Sequence, residues 1–278
     1  MNICPGSLYV VSVPIGNLAD FTPRAVELLN KADYVACEEV GVSRRLFQSQ
    51  NIEARLISYR ESGREKAGEE IVSLLKEGKT VALVSSAGTP AISDPGRDLV
   101  LKCHQNNIKV FPVPGVSALI TALSVSGLPS RHFTFEGFLS RDDSSRRESL
   151  LNLRTEKRTM IFYEAPHRLL STLQAMYEIF GERLAFVGRE LTKYYEECKY
   201  TSLKELVERY QREEARGEFV LVVAGAPEDE DFAQQEAHLT QDGQFLNKFN
   251  LSNKDRAEIL AYFRNVPKNR AKGLFMSK

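Results

Sequence analysis

The stretch Val81–Gly96, VALVSSAGTPAISDPG, constrains the fold of this chain more than any other. Val81–Val84 is a short apolar run of the kind that forms a fully buried strand. It enters a loop of small residues, broken at Gly88-Thr89-Pro90 and again at Asp94-Pro95-Gly96, and a helix is predicted from Arg97. Loops between such elements usually take about two to six residues. This one runs from Ser85 to Gly96, well beyond that range. Open α/β folds hold ligands at the carboxyl ends of parallel strands. Small side chains also let a ligand approach the backbone. The stretch therefore predicts a parallel α/β sheet with a binding loop at its edge.

The rest of the first half repeats the alternation. Leu8–Val13 reads as a buried strand and ends in the turn Pro14-Ile15-Gly16-Asn17-Leu18. Thr22 then caps a helix that opens on Pro23. The turn has one glycine and meets neither the dinucleotide nor the P-loop pattern. Tyr34–Cys37 is a strand, followed by Glu38-Glu39-Val40-Gly41, with Ser43 as the cap of a short helix carrying Arg44 and Arg45. The paired carboxylates suit either acid–base work or a solvated helix start. Arg55–Ser58 is a short strand, Ser62–Lys66 a polar mobile stretch, and Glu69–Lys76 an amphipathic helix stopped by Gly78. A helix over Arg97–Asn106 and a strand over Lys109–Val113 complete a parallel sheet covered on both faces.

The clearest break, Pro112-Val113-Pro114-Gly115, sets the expected boundary between an N-terminal α/β domain, 1–115, and a second, 116–226. The second half alternates too, with more scope for antiparallel pairing. A helix over Ser117–Ser126 precedes strands at Phe133–Phe138, Thr159–Tyr163, Leu184–Gly188 and Glu218–Val223, with helices ending at Phe180 and over Leu203–Ala215. Between the first two strands lies an arginine-rich segment with Arg141, Arg146, Arg147, Arg154 and Arg158, which suits a solvated helix or an RNA-facing arm. Residues 227–241, with Glu228-Asp229-Glu230-Asp231, read as an acidic linker. Residues 242–278 read as a basic helical tail, with helices at Leu251–Phe263 and Lys268–Phe275.

Bulk properties exclude several classes. Lys+Arg and Asp+Glu both number 37, so a polyanionic partner would have to meet local patches. Cys4, Cys37, Cys103 and Cys198 are scattered without metal spacing and suit a reduced, cytoplasmic protein; no metal site is expected. No apolar run approaches the ~18 residues of a membrane span, and no signal peptide is visible.

Seven segments occur in order: VPIGNLADFTPRA, VSSAGTPAISDPG, PVPGVSALITALSVSGLP, FEGFLSRDDSSRR, IFYEAPHR, RELTKYYEE and GEFVLVVAG. Together they resemble the ribosomal RNA small subunit methyltransferase I family, of the tetrapyrrole-methylase class of S-adenosyl-L-methionine enzymes. The resemblance runs from about Leu8 to the C-terminus. It implies two α/β domains of the tetrapyrrole-methylase type with a small C-terminal helical appendage, and a homodimer. It also implies methyl transfer to a ribose 2′-hydroxyl of a cytidine in 16S ribosomal RNA, free or within the small ribosomal subunit. By the same resemblance the donor touches Pro14, Gly16, Gly88, Thr89, Ile92, Ser117, Ala118, Tyr163, Glu164 and Leu191. A sulfonium donor without phosphates needs apolar walls, backbone groups and carboxylates, and no phosphate cradle. A 2′-hydroxyl is a poor nucleophile and gains from a base. Glu38, Glu39 and Glu190 are candidate bases, and Arg189, Arg168 and Lys193 could position phosphate or stabilise developing charge; each could equally serve a structural ion pair. Other acceptors in the same class, or a non-catalytic donor- or RNA-binding relative, are the competing readings. The family pattern has Glu-Asp-Thr-Arg where this chain has Glu38-Glu39-Val40-Gly41. It has Ser-Asp-Ala-Gly-Thr-Pro where this chain has Ser85-Ser86-Ala87-Gly88-Thr89-Pro90.

Overall fold

The computed structural model describes residues 3–227, 239–264 and 268–275. The N-terminal strands are β1 (Leu8–Val11), β2 (Tyr34–Cys37), β3 (Leu56–Ser58), β4 (Val81–Val84) and β5 (Val110–Val113). They form one all-parallel sheet in the order β3-β2-β4-β1-β5. The apolar runs make both faces hydrophobic, so helices must cover both. On one face α1 (Pro23–Lys31) and α2 (Val40–Gln48) bury Leu28, Leu29 and Phe47 against Val11, Val35 and Val84. On the other, α3 (Arg64–Lys76) and α4 (Arg97–Gln105) bury Ile71, Leu75 and Leu99 against Leu8 and Leu83. Pro112 lies in β5, at the sheet edge, where a missing backbone N–H is tolerated.

The second sheet has the order β6-β7-β10-β8-β9: β6 (Phe133–Phe138), β7 (Thr159–Glu164), β8 (Leu184–Arg189), β9 (Glu197–Ser202) and β10 (Phe219–Val223). β6 and β7 are parallel, and the other pairs are antiparallel. β10 lies at its centre. Its alternation sends Phe219, Leu221 and Val223 to one face, under α6 (Asp143–Asn152), α7 (Leu169–Phe180) and α8 (Leu203–Tyr210). Val220 and Val222 go to the other, under α5 (Ala118–Val125). Helix α9 (239–246), with α10 (Asn253–Arg264) and α11 (Lys268–Gly273), encloses a small separate core of Leu239, Ala257, Leu260, Ala271 and Phe275.

Several local expectations hold. Thr22 accepts the Ala25 N–H at 3.2 Å at the start of α1. Others are corrected. α2 starts at Val40 with Glu39 before it, so Ser43 sits buried inside the helix and does not cap it. α3 begins at Arg64, because Gly63 at φ 90° turns the chain into it and Arg64 pairs with Glu61 and Asp98 at 2.7 and 3.0 Å. β9 was not expected: it is a polar edge strand without an apolar alternation. Helical residues 239–246 cross the expected linker–tail boundary at 241–242, and residues 228–238 of the acidic segment lie outside the described residues.

Leu221 is fully buried at the centre of β10. Leu221→Ala is expected to destabilise the protein by about 2–5 kcal/mol, read as a lower urea midpoint, because the surrounding sheet can close only part of the hole.

Candidate donor-binding site

The two sheets meet at the tips of their strands. Beyond β1, Val13 forms an isolated antiparallel bridge with Gly88: the Val13 N–H donates to the Gly88 carbonyl at 2.9 Å and the Gly88 N–H to the Val13 carbonyl at 3.1 Å. Gly88 takes φ +72°, and a Cβ there would stand 3.3 Å from Ile15 Cγ2. The glycine thus serves a left-handed turn and a close approach. Its own N–H and carbonyl are both engaged with Val13 across the bridge. Thr89 Oγ1 donates to the Val116 carbonyl at 3.0 Å and accepts from Ser12 Oγ at 2.9 Å. These bonds fasten the β4–α4 loop to the end of β1 and to the segment entering α5.

Behind this seam lies a cavity of about 430 Å³, lined from both sheets. The first supplies Ile15 and the loop from Ala87 to Asp94; the second supplies Ser117 and Ala118 before and in α5, Phe138, the end of β7 from Tyr163 to Pro166, and Glu218 to Val220. Of the residues expected at the donor, Gly88, Thr89, Ile92, Ser117, Ala118, Tyr163 and Glu164 line it together. Pro14 is buried and Gly16 exposed on either side of the lining residue Ile15. Leu191 is buried behind the wall, packed on Gly188.

The side chains are held from outside. The Tyr163 hydroxyl accepts the Leu119 N–H at 3.1 Å, and burial raises its pKa. Glu164 is buried; it accepts from Ala165 N at 2.8 Å and Thr172 Oγ1 at 2.6 Å, and pairs with Arg168 at 3.2 Å. Glu218 pairs with Lys193 at 2.9 Å. Among the described residues no such cation pairs with Asp94: burial first and the Glu38 charge second push its carboxyl up to about 6, while a hydrogen bond from Ser85 opposes them. Glu38 does not line the cavity; its charge reaches Asp94, and Ser86 Oγ donates to its Oε2 at 3.4 Å. An aspartate in place of Ser86 would bring a further carboxylate to this pair, so the serine relieves repulsion. Gly41 faces open space, and the arginine of the family pattern would point outward there.

Glu190 and Arg189 are not in the cavity wall. Glu190 accepts from Lys193 Nζ at 2.9 Å and from the Glu218 N–H at 2.8 Å; burial alone would raise its pKa, yet these bonds hold it below the ordinary value. Arg189 Nε donates to the Arg216 carbonyl at 2.6 Å, and its head lies 3.7 Å from Glu197. Asp94, Phe138 and Glu218 were not singled out by sequence. Asp94 was visible in the Asp94-Pro95-Gly96 break. Glu218 was not legible, because it enters the wall only through the antiparallel setting of β10. Among the described residues no cluster suited to a metal ion occurs, and no helix is long and apolar enough to cross a membrane.

Residues 7–207 match the family model for Tetrapyrrole (Corrin/Porphyrin) Methylases. The chain is 41% identical to a ribosomal RNA small subunit methyltransferase I from Escherichia coli O157:H7, covering 95% of this chain and 92% of the relative. It is 47% identical to one from Synechocystis sp., covering 81% of each. Among solved structures it resembles a cobalt precorrin-4 methyltransferase of cobalamin biosynthesis (TM-score 0.60, 18% identity, 79% of this chain and 95% of that one). A uroporphyrin-III C-methyltransferase from Thermus thermophilus, complexed with S-adenyl homocysteine, matches at TM-score 0.57 and 17% identity, covering 78% of this chain and 97% of that one. The architecture of two facing sheets, the cavity between them and these likenesses place the chain in the tetrapyrrole methylase family, within its ribosomal RNA small subunit methyltransferase I branch.

Proposed function

We propose that this chain transfers a methyl group from S-adenosyl-L-methionine to a ribose 2′-hydroxyl of a cytidine in 16S ribosomal RNA, in the cytoplasm. One observation carries the reading of the site: among the described residues the cavity wall combines apolar residues with carboxylates and contains neither lysine nor arginine. Such a wall suits a cationic ligand without phosphates and disfavours a nucleotide phosphate. When bound, the donor supplies an electrophilic sulfonium methyl. Ile15, Ile92 and Tyr163 give the apolar walls, and Thr89, Ser117 and Ala118 shape the floor. Pro14 and Gly16 hold Ile15 in place, Glu164 adds a carboxylate to the wall, and Leu191 supports it from behind. Holding the two reactants in line at attack distance supplies much of the rate. Asp94 is the base: an acid that titrates near 6 is ionised at neutral pH and still accepts a proton as the hydroxyl loses it. Glu38 tunes it by charge. Glu190 and Arg189 act at one remove, by fixing the turn after β8.

We take residues 1–115 and 116–226 as the two domains that make the cleft, with 227–241 as a linker and 242–278 as a basic tail that meets RNA phosphates. The working form is a homodimer. α5 carries no charged residue, yet Ile120 and Val125 are about half exposed on its outer face. These two apolar side chains stand exposed on the helix, and a second copy would cover them.

The acceptor is tested by mapping 2′-O-methyl groups on small-subunit ribosomal RNA with and without the gene; an unchanged map removes that acceptor. Gly88→Val should abolish donor binding measured by calorimetry, since the new side chain meets Ile15 and a left-handed φ. Unchanged affinity would take the β4–α4 loop out of the site. Asp94→Asn should cut methyl transfer by about 10²–10⁴-fold while donor binding persists, and it should remove a fall in rate below about pH 6. The folded-state pKa of Asp94 is raised from 3.8, so ionising it costs stability as pH rises through about 6. Asp94→Asn should therefore melt higher than wild type at neutral pH, with the gap closing as pH falls toward 4. Ile120→Asp with Val125→Asp should shift the sedimentation coefficient to that of a monomer; a retained dimer would place the interface elsewhere.

A further inference from the structure

The edge of the second sheet that bears the cavity also bears aromatic rings open to solvent. β6 runs parallel to β7, and β8 is antiparallel to β10, which is antiparallel to β7. The carboxyl ends of β6, β7 and β8 therefore share one edge. Phe138 ends β6, lines the cavity and is 56% exposed. Tyr194 and Tyr195, in the turn after β8, are 93% and 69% exposed. β6 and β8 lie three strand spacings apart in the sheet, about 14 Å. The tip of β7 and the start of β10, both part of the cavity wall, lie between them.

The turn that carries the tyrosines is tightly held. Lys193 N donates to the Glu190 carbonyl at 3.0 Å, Glu196 N to the Lys193 carbonyl at 3.1 Å, and Thr192 N to Glu196 Oε1 at 2.8 Å. Lys193 Nζ bridges Glu190 and the cavity residue Glu218. The Asn17 N–H reaches Thr192 Oγ1 at 3.2 Å, so the first sheet's β1–α1 turn is tied in as well. Glu190 and Thr192 both sit at positive φ, +49° and +67°, conformations that persist only when the surroundings enforce them. The enforced backbone projects two rings, 4.9 Å apart and nearly perpendicular, into solvent. At these exposures the rings contribute little to folding.

We propose that Phe138 and the Tyr194–Tyr195 pair are stacking platforms for unpaired bases on either side of the acceptor nucleotide. A single-stranded RNA segment would cross this sheet edge while the acceptor ribose enters the cavity between. The inference rests on RNA as the acceptor, proposed above, and adds that the acceptor is presented as an unpaired strand. Stacking fits because every base offers a π-face and aromatic side chains hold bases without demanding their identity. Arg141, exposed three residues beyond Phe138, offers a cation to the backbone of the same strand.

The test compares full-length wild type, Tyr194→Ala/Tyr195→Ala and Tyr194→Phe/Tyr195→Phe. Each is titrated with S-adenosylmethionine and with a short single-stranded oligocytidylate, and its sedimentation is measured. The alanine variant should bind the oligonucleotide about five- to 150-fold more weakly, the loss of one stacked base. Donor affinity and sedimentation should not change, and the phenylalanine variant should bind as wild type does. Equal binding by the alanine variant overturns the proposal. So does an equal loss in the phenylalanine variant, which would assign the effect to the hydroxyls. A shift to a smaller species would make the tyrosines a contact with a second copy. Wild type that binds the donor but not the oligonucleotide also overturns the platforms, whereas the RNA acceptor itself stands or falls with the ribose-methylation map.

Discussion

The antiparallel bridge between Val13 and Gly88 is the contact on which the site depends. It closes the β4–α4 loop onto the end of β1, and both partners are buried. Because Gly88 takes a left-handed φ, the loop can turn back there and bring Ile92 and Asp94 to the cavity. Thr89 extends the seam to the segment that leads into α5, and α5 packs under the second sheet. Ile15, two residues after the bridge, packs against that same second core. The relative position of the two sheets, and so the shape of the cavity, follows from this line of contacts.

A second constraint is electrostatic. Three carboxylates stand in the wall, and two of them are neutralised from outside it: Glu164 by Arg168, and Glu218 by Lys193. Asp94 faces Glu38 instead. Burial first and the like charge of Glu38 second raise the Asp94 pKa, which sets this carboxyl apart from the two that pair with cations. Ser86, in the same loop, limits the charge there. The cations that pair with these carboxylates also brace the turns, which joins the charge balance of the cavity to its rigidity.

Much of the architecture was legible because its signals are local. The apolar runs at Leu8, Tyr34, Val81 and Thr159 were read as strands, and the Thr22-Pro23 start of α1 follows from backbone chemistry within one turn. Seven of the ten residues expected at the donor line one cavity. β9 escaped because a polar strand at a sheet edge carries no burial pattern; its partner β8 defines it. The first turn of α3 is not legible locally, because the pairing of Arg64 with Asp98 crosses between helices.

What the sequence determined by itself was the set of elements, the loop rich in small residues after β4 and the family to which the ordered motifs belong. Each rests on short-range propensity or on a pattern of residue types. Only the tertiary structure decided that Asp94 lines the cavity within reach of the Glu38 charge, that Glu190 and Arg189 brace a turn outside the wall, and that Glu218 enters at the start of an antiparallel strand. Those roles depend on which strand tips meet, and strand order and direction come from long-range packing that no local stretch of residues encodes.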